Sequence, residues 1–349
     1  MTETALDIVE NEEEEFLKRP NFLGYVFCPI KKVFKEFFLK ALEEYKKTSD
    51  GVNFGYYVPS GCSTTDPYEN LWASDSEENL PDIIASVGFG DYFRSEFMEK
   101  FVDGGYFEAP SNYKTADDKI FSGFEDPRKK YVVYALFPKI IMVDKNHLGR
   151  LPIPKKWSDL LNPAYKNNIV IGASHGDFND ELLLYINKEH GTEGLKRLAD
   201  NVKHGWHGSK MAKIAGTKNT QGAAIYVISR FFAESRPLRE STELIWPEDG
   251  AIPTPCYYLL RKGFAEKYAP FLDFLHGKEF AQKCADNYFP ALHPQVNNKL
   301  PPQASFKWLG WDYIRSNSMY GLRMEVLNSF YDALWTKPNA ASIFKEIGL

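Results

Sequence analysis

Four cysteines lie far apart in this chain, at Cys28, Cys62, Cys256 and Cys284, and no two form a C-x-x-C pair, so neither a disulfide framework nor a zinc-ribbon spacing is present. Two of them occupy positions with chemical promise. Cys28 lies in GYVFCPIKKVFKEFF, where a short β-like run gives way to a helix-like one, and Cys62 lies in PSGCSTTDPY, after a second strand-like run. A helix N-terminus lowers a thiol's pKa, which makes it a better nucleophile or soft-metal ligand. His175 in GASHGDF and the His-x-x-His pair of HGWHG, His204 and His207, are the imidazoles available to complete a thiolate metal site. The plainer alternative is that the cysteines are small buried residues, as Cys284 is expected to be on the apolar helical face it shares with Phe280. On the same plain reading HGWHG is a turn between helices, anchored by Trp206.

The elements that position these residues follow an α/β pattern. FLGYVF reads as a buried strand, and Ile30, Val33, Phe34, Phe37, Phe38, Ala41 and Leu42 make the apolar stripe of a helix that Pro29 opens. GVNFGYYVPSG and PDIIASVGFG are further strands, and this order predicts a unit of parallel strands. YVVYALFPKIIMVDKN is a long β-rich run with a proline in its middle, suited to a bent crossing strand. A second α/β unit follows, with strand NNIVIGAS, helices DFNDELLLYINKEH and GTEGLKRLADNVKH, and TQGAAIYVISRFFAES. TELIWPEDGAIPTPCYYLLRKG then repeats the crossing texture, and the remainder is mainly helical.

Composition excludes several classes. Lys plus Arg number 42 against 47 Asp plus Glu, a net charge of −5 that leaves no footprint for nucleic acid. No stretch reaches the roughly 18 apolar residues of a membrane span. The opening MTETALDIVENEEEE has neither a basic n-region nor an apolar h-region, so the chain as it stands is expected to be cytoplasmic, and periplasmic or cell-surface if a leader has been removed.

PKKWSDLLNPAYKNNIVIG, TQGAAIYVI, WPEDGAIPTPCYYLLRKG and APFLDFLHGKEFAQKCADNYFPALHP, in this order and spacing, resemble type II periplasmic binding proteins, in the branch of ferric-iron-binding and related ABC-transporter solute-binding proteins. The resemblance implies a two-lobed α/β fold, each lobe a mostly parallel sheet flanked by helices, with two crossing strands as hinge. Residues 1–20 would be an acidic extension, 21–130 plus 258–349 the first lobe and 131–257 the second. The ligand would lie outside the carboxyl ends of the strands, where helix N-termini and loop amides present donors. The first lobe would contribute Cys28, Ser60, Gly61, Cys62, Ser63, Thr64 and Gly88, and the second Ser174, His175, Gly176, Asn219, Thr220 and Gln221, the last three at a helix start. The adjacent Tyr257 and Tyr258 resemble the tyrosine pair that binds ferric iron in some relatives. Their local context differs, so that site is not carried over: core or hinge packing is their role, with at most Tyr257 facing the ligand.

Two functions follow. The first is a binding protein closing around a small polar or inorganic ligand, a metal ion, iron–sulfur species or small anion, for an ABC permease if exported or for intracellular delivery, acting as a monomer. Any metal ion or iron–sulfur cluster would be held by Cys28, Cys62 and Cys256 with His175 or His207. The second is an enzyme with Cys28 or Cys62 as nucleophile and His175 as base, although no G-x-S-x-G and no phosphate loop is present.

Overall fold

The computed structural model describes residues 19–48, 54–59, 66–111, 113, 115–116, 119–174 and 177–348. In chain order the principal elements are β1 (Phe22–Gly24), α1 (Lys31–Thr48), β2 (Tyr56–Tyr57), β3 (Ile83–Val87), β4 (Val132–Asp144), β5 (Ile169–Ser174), β6 (Asp177–Phe178) and α2 (Asp180–Asn201). There follow β7 (Val202–Trp206), α3 (Gly208–Ile214), β8 (Ile225–Ser229), α4 (Arg230–Glu234), β9 (Thr242–Ile245), β10 (Ile252–Leu260), α5 (Ala269–His276), α6 (Lys278–Asp286), α7 (Met319–Trp335) and α8 (Ala340–Ile347). The chain divides into two compact units, Met1–Leu136 with Pro255–Lys299, and Phe137–Thr254 with Leu300–Leu349. It therefore passes between units within β4, within β10 and after Lys299.

In unit 1, β1 runs parallel to both β2 and β3, and β3 pairs antiparallel with β10, Cys256 opposite Val87. The stripe read from the sequence is the buried face of α1, where Phe34, Phe38, Ala41, Leu42 and Tyr45 recur at helical spacing. It packs on β1 and α5 through an aromatic cluster: Phe22, Phe38 and Phe271 stand 4.8 to 5.6 Å apart between ring centroids. Each such ring, fully buried, contributes about 1.5–3 kcal/mol.

In unit 2, β5 runs parallel to β7 and β8, while β4 pairs antiparallel with β8 and with β9. All of β4 is buried, which explains its nearly unbroken apolar sequence. The core beneath β4, β5 and β8 gathers Ile140, Met142, Val170, Trp206, Tyr226 and Ile228. The two helices read between Asp177 and His204 both form, together spanning α2, and meet at Gly191, whose φ of 60° only glycine adopts freely.

Two expectations need correction. Residues 300–349 were placed with the first lobe, but they pack in unit 2, along α2. Lys188 Nζ donates to the Leu309 carbonyl at 2.7 Å, and Lys307 pairs with Glu189 at 2.6 Å. Lys337 Nζ donates to the carbonyls of Ala199, Asp200 and Val202 at 2.6 to 2.8 Å, capping the last turn of α2. Burial draws the Lys337 ammonium down to about 8. Lys337→Met removes the donor from these carbonyls and should cost about 1–3 kcal/mol in urea unfolding. The second correction concerns HGWHG, which is not a turn between helices. Val202–Trp206 form a strand because pairing with β5 overrides the local helical pattern.

Candidate functional site at the carboxyl edges of the parallel strands

Parallel strands expose the start of the next element at their carboxyl ends, and in open α/β sheets ligands bind outside those ends. In unit 1 this edge follows Gly24, Tyr57 and Val87. Cys28 lies here, exposed, in the first turn after β1. Gly88 follows β3 with φ 68°, a turn position suited to glycine, and its amide donates to the Pro255 carbonyl at 2.9 Å. Tyr25 emerges beside them. Its hydroxyl donates to Asp66 Oδ2 at 2.6 Å, and its ring stands edge-on to Tyr57 at 6.3 Å. Burial and the neighbouring Tyr92 and Asp66 hold the Tyr25 phenol well above its usual range, so it remains a donor.

Cys256 and Tyr257 open the unit 1 portion of β10, and both are fully buried. Burial raises the Cys256 thiol well above its ordinary value, which disfavours the thiolate a metal requires. Tyr257 packs edge-on to Phe93 and Tyr131 at 5.1 and 5.6 Å, in the aromatic core. Cys284 is likewise fully buried, its thiol pushed up. Ser60, Gly61, Cys62, Ser63, Thr64, His175 and Gly176 lie outside the described residues. Among the described residues no group of three or more His, Cys, Asp or Glu is placed to hold a metal ion.

In unit 2 the carboxyl edge carries Ser174 at the end of β5, His207 after β7 and Arg230 after β8. His207 caps α3: its Nδ1 accepts from the Ser209 amide and lies 2.8 Å from Ser209 Oγ. His204 stacks on Trp206 at 4.5 Å and pairs with Glu346 of α8 at 2.9 Å, so the His-x-x-His pair does not converge on one point. Arg230 is buried, its Nε 3.7 Å from Glu234 and its guanidinium 5.6 Å from the Trp246 ring.

Asn219, Thr220 and Gln221 are not at this edge and do not open a helix. They form an exposed turn leading into β8, at the amino end of the sheet. The Asn219 carbonyl lies 3.0 Å from His147 Nε2, and Lys203 Nζ donates to the Thr220 carbonyl at 3.1 Å. A six-residue strand spans about 17–20 Å, so these residues and Ser174 belong to opposite ends of one sheet.

Behind the unit 2 edge stands a buried polar cluster that sequence reading missed. Lys139 of β4 and Glu181 in the first turn of α2 form an ion pair at 2.6 Å, with side chains 4% and 11% exposed. Thr254 Oγ1 donates to Glu181 Oε1 at 2.6 Å and accepts from Lys139 Nζ at 3.4 Å. Burial works to raise the Glu181 carboxyl, but Lys139 and Thr254 outweigh it and hold it low. Asp180 beside it is raised by burial, opposed by its ion pair with Arg323. The available signal was the lone lysine in LFPKIIMV, since a cation in a buried strand demands a partner.

The family profile of bacterial extracellular solute-binding proteins matches residues 78–317, and the chain belongs to that family. Three solved structures resemble it. FutA (IdiA) of Trichodesmium, in complex with iron and citrate, is 16% identical with a TM-score of 0.61, over 90% of this chain and 98% of that one. Apo ferric ion-binding protein A of Pasteurella haemolytica is 14% identical, TM-score 0.60, over 92% and 99%. An ABC transporter structure from Clostridium perfringens is 16% identical, TM-score 0.60, over 90% and 100%. The fold is thus that of the type II periplasmic binding proteins, as the sequence resemblance implied. No curated protein matches the chain significantly. No helix among the described residues is long and apolar enough to cross a membrane.

Proposed function

We propose that the chain is the solute-binding component of an ABC-type importer, working outside the cytoplasm as a monomer and delivering a small polar or inorganic solute to its permease. The observation that carries this reading is the family match over residues 78–317, which takes in sheet elements of both units. The solute class is supported by the polar groups at the carboxyl edges: the Tyr25–Asp66 phenol–carboxylate pair in unit 1, and the His207 imidazole and the Arg230 guanidinium in unit 2. Ser60–Thr64, His175 and Gly176 belong to the proposed site by their chain positions after β2 and β5. Cys28 and Cys62 remain candidate contacts for a thiophilic cargo.

A thermal-shift series with ferric citrate, orthophosphate and free divalent metals tests the reading. One of these probes should stabilise the protein, by about 2.7 kcal/mol at a hundredfold excess over Kd. Cys28→Ser and Cys62→Ser should abolish the shift if the cargo is thiophilic and leave it intact if it is an anion. Flat melting curves with every probe would count against this solute class.

A further inference from the structure

The family match ends at residue 317, and α7 begins at Met319. This helix buries Val326, Leu327, Phe330 and Leu334, so part of its role is plainly to cover apolar surface on unit 2. Core packing does not account for two polar bonds it makes. Tyr331 Oη donates to Asp177 Oδ1 at 2.8 Å, and Arg323 pairs with Asp180. These two residues lie eight apart, about 12 Å along a helix and close to the same face. Their partners flank Phe178, which is 2% exposed and packs edge-on to Phe330 at 5.4 Å and against Tyr331 at 6.0 Å.

The segment so gripped, residues 177–180, leads into the first turn of α2. β6 is two residues long and pairs with β5 at Phe178 and Asp177. So short a hairpin is not independently stable, and its position must be imposed from outside. The Asn179 amide donates to the Gly172 carbonyl at 2.8 Å, folding the segment back on its own strand. Asp180 is followed directly by Glu181, the partner of Lys139, so movement of this turn would also disturb the buried ion pair.

We infer that α7 sets the position of residues 177–180 at the start of α2, with Tyr331 and Arg323 as positioning residues for solute binding at the unit 2 edge. This rests on the solute-binding reading proposed above. The helix thereby does for the site what the short hairpin cannot do for itself.

The test uses the full chain and the variants Tyr331→Phe, Arg323→Met and Arg323→Lys. Hydrogen exchange at the Phe178 and Asn179 amides should quicken about tenfold in Tyr331→Phe and Arg323→Met, with exchange in β8 unchanged. Ferric citrate affinity should weaken by about tenfold in the same two variants, and Arg323→Lys should recover most of both effects. Unaltered exchange at Phe178 and Asn179 in folded variants would overturn the inference, as would ferric citrate binding that is indifferent to both substitutions. If ferric citrate fails to bind even the wild-type chain, the iron–citrate form of the proposed function fails, while the exchange result still decides the role of α7.

Discussion

Lys139→Met is expected to lower the free energy of unfolding by about 3–5 kcal/mol, because it leaves the Glu181 carboxylate buried without its cation. The cost arises from geometry that offers no alternative partner of equal strength. Glu181 is buried, Thr254 supplies a single hydroxyl hydrogen, and Arg323 is engaged with Asp180. The double variant Lys139→Met with Glu181→Leu should recover most of the loss, since a well-packed apolar pair of similar volume is often as stable as a buried ion pair. Urea unfolding of the two single variants and the double gives the coupling energy. A single-variant loss below about 1 kcal/mol would place the pair in solvent rather than in the core. Lys139 and Thr254 lie within a few residues of the points where β4 and β10 leave unit 2, so the cluster also ties both strands to the start of α2.

Acidification should destabilise unit 1 through His276. Burial, with His293 nearby, draws its imidazole from 6.5 to about 4. The neutral ring accepts from the Tyr258 hydroxyl through Nε2, and the Tyr113 ring packs against it at 4.7 Å. Between these two pKa values the unfolded chain binds a proton that the native chain refuses. Stability must therefore fall as pH drops from about 6.5 to about 4, and this contribution levels off below that. The full effect is about 3 kcal/mol. His276→Gln keeps an acceptor for Tyr258 and removes the titration. Chemical unfolding measured from pH 7.5 to 4 should show a shallower acid decline in this variant than in the wild type. Parallel pH curves for the two proteins would contradict the assignment.

What the sequence disclosed depended on the range of the interaction. The stripe of α1 and the buried runs of β1, β3 and β4 announced themselves because burial of one face imposes a local period, or its absence. The break between two helices was visible at Gly191. The strand at Val202–Trp206 was not, since its conformation comes from pairing with β5, a partner some thirty residues away. The same limit applied to 300–349, whose helices read correctly as helices but whose partner, α2, is distant in sequence.

The candidate site was legible as an edge rather than as a set of side chains. Cys28 and Gly88 do follow strands and Ser174 ends one, as their turn-forming neighbours suggested, and Cys256 lies opposite Val87 at the same end of β3. Asn219–Gln221 were misplaced because a polar turn before a strand and one after it look alike in sequence. Lys139, Glu181 and Thr254 carried no motif, and only their meeting in space makes them a cluster. The same holds for Tyr25 with Asp66, and for Tyr331 with Asp177.

The most direct test is native mass spectrometry of the untreated full chain, compared with its denatured mass and repeated after incubation with a filtered small-molecule extract. A solute-binding protein predicts one small adduct at a single equivalent, present natively and lost on denaturation. Identical native and denatured masses under both conditions would contradict the account.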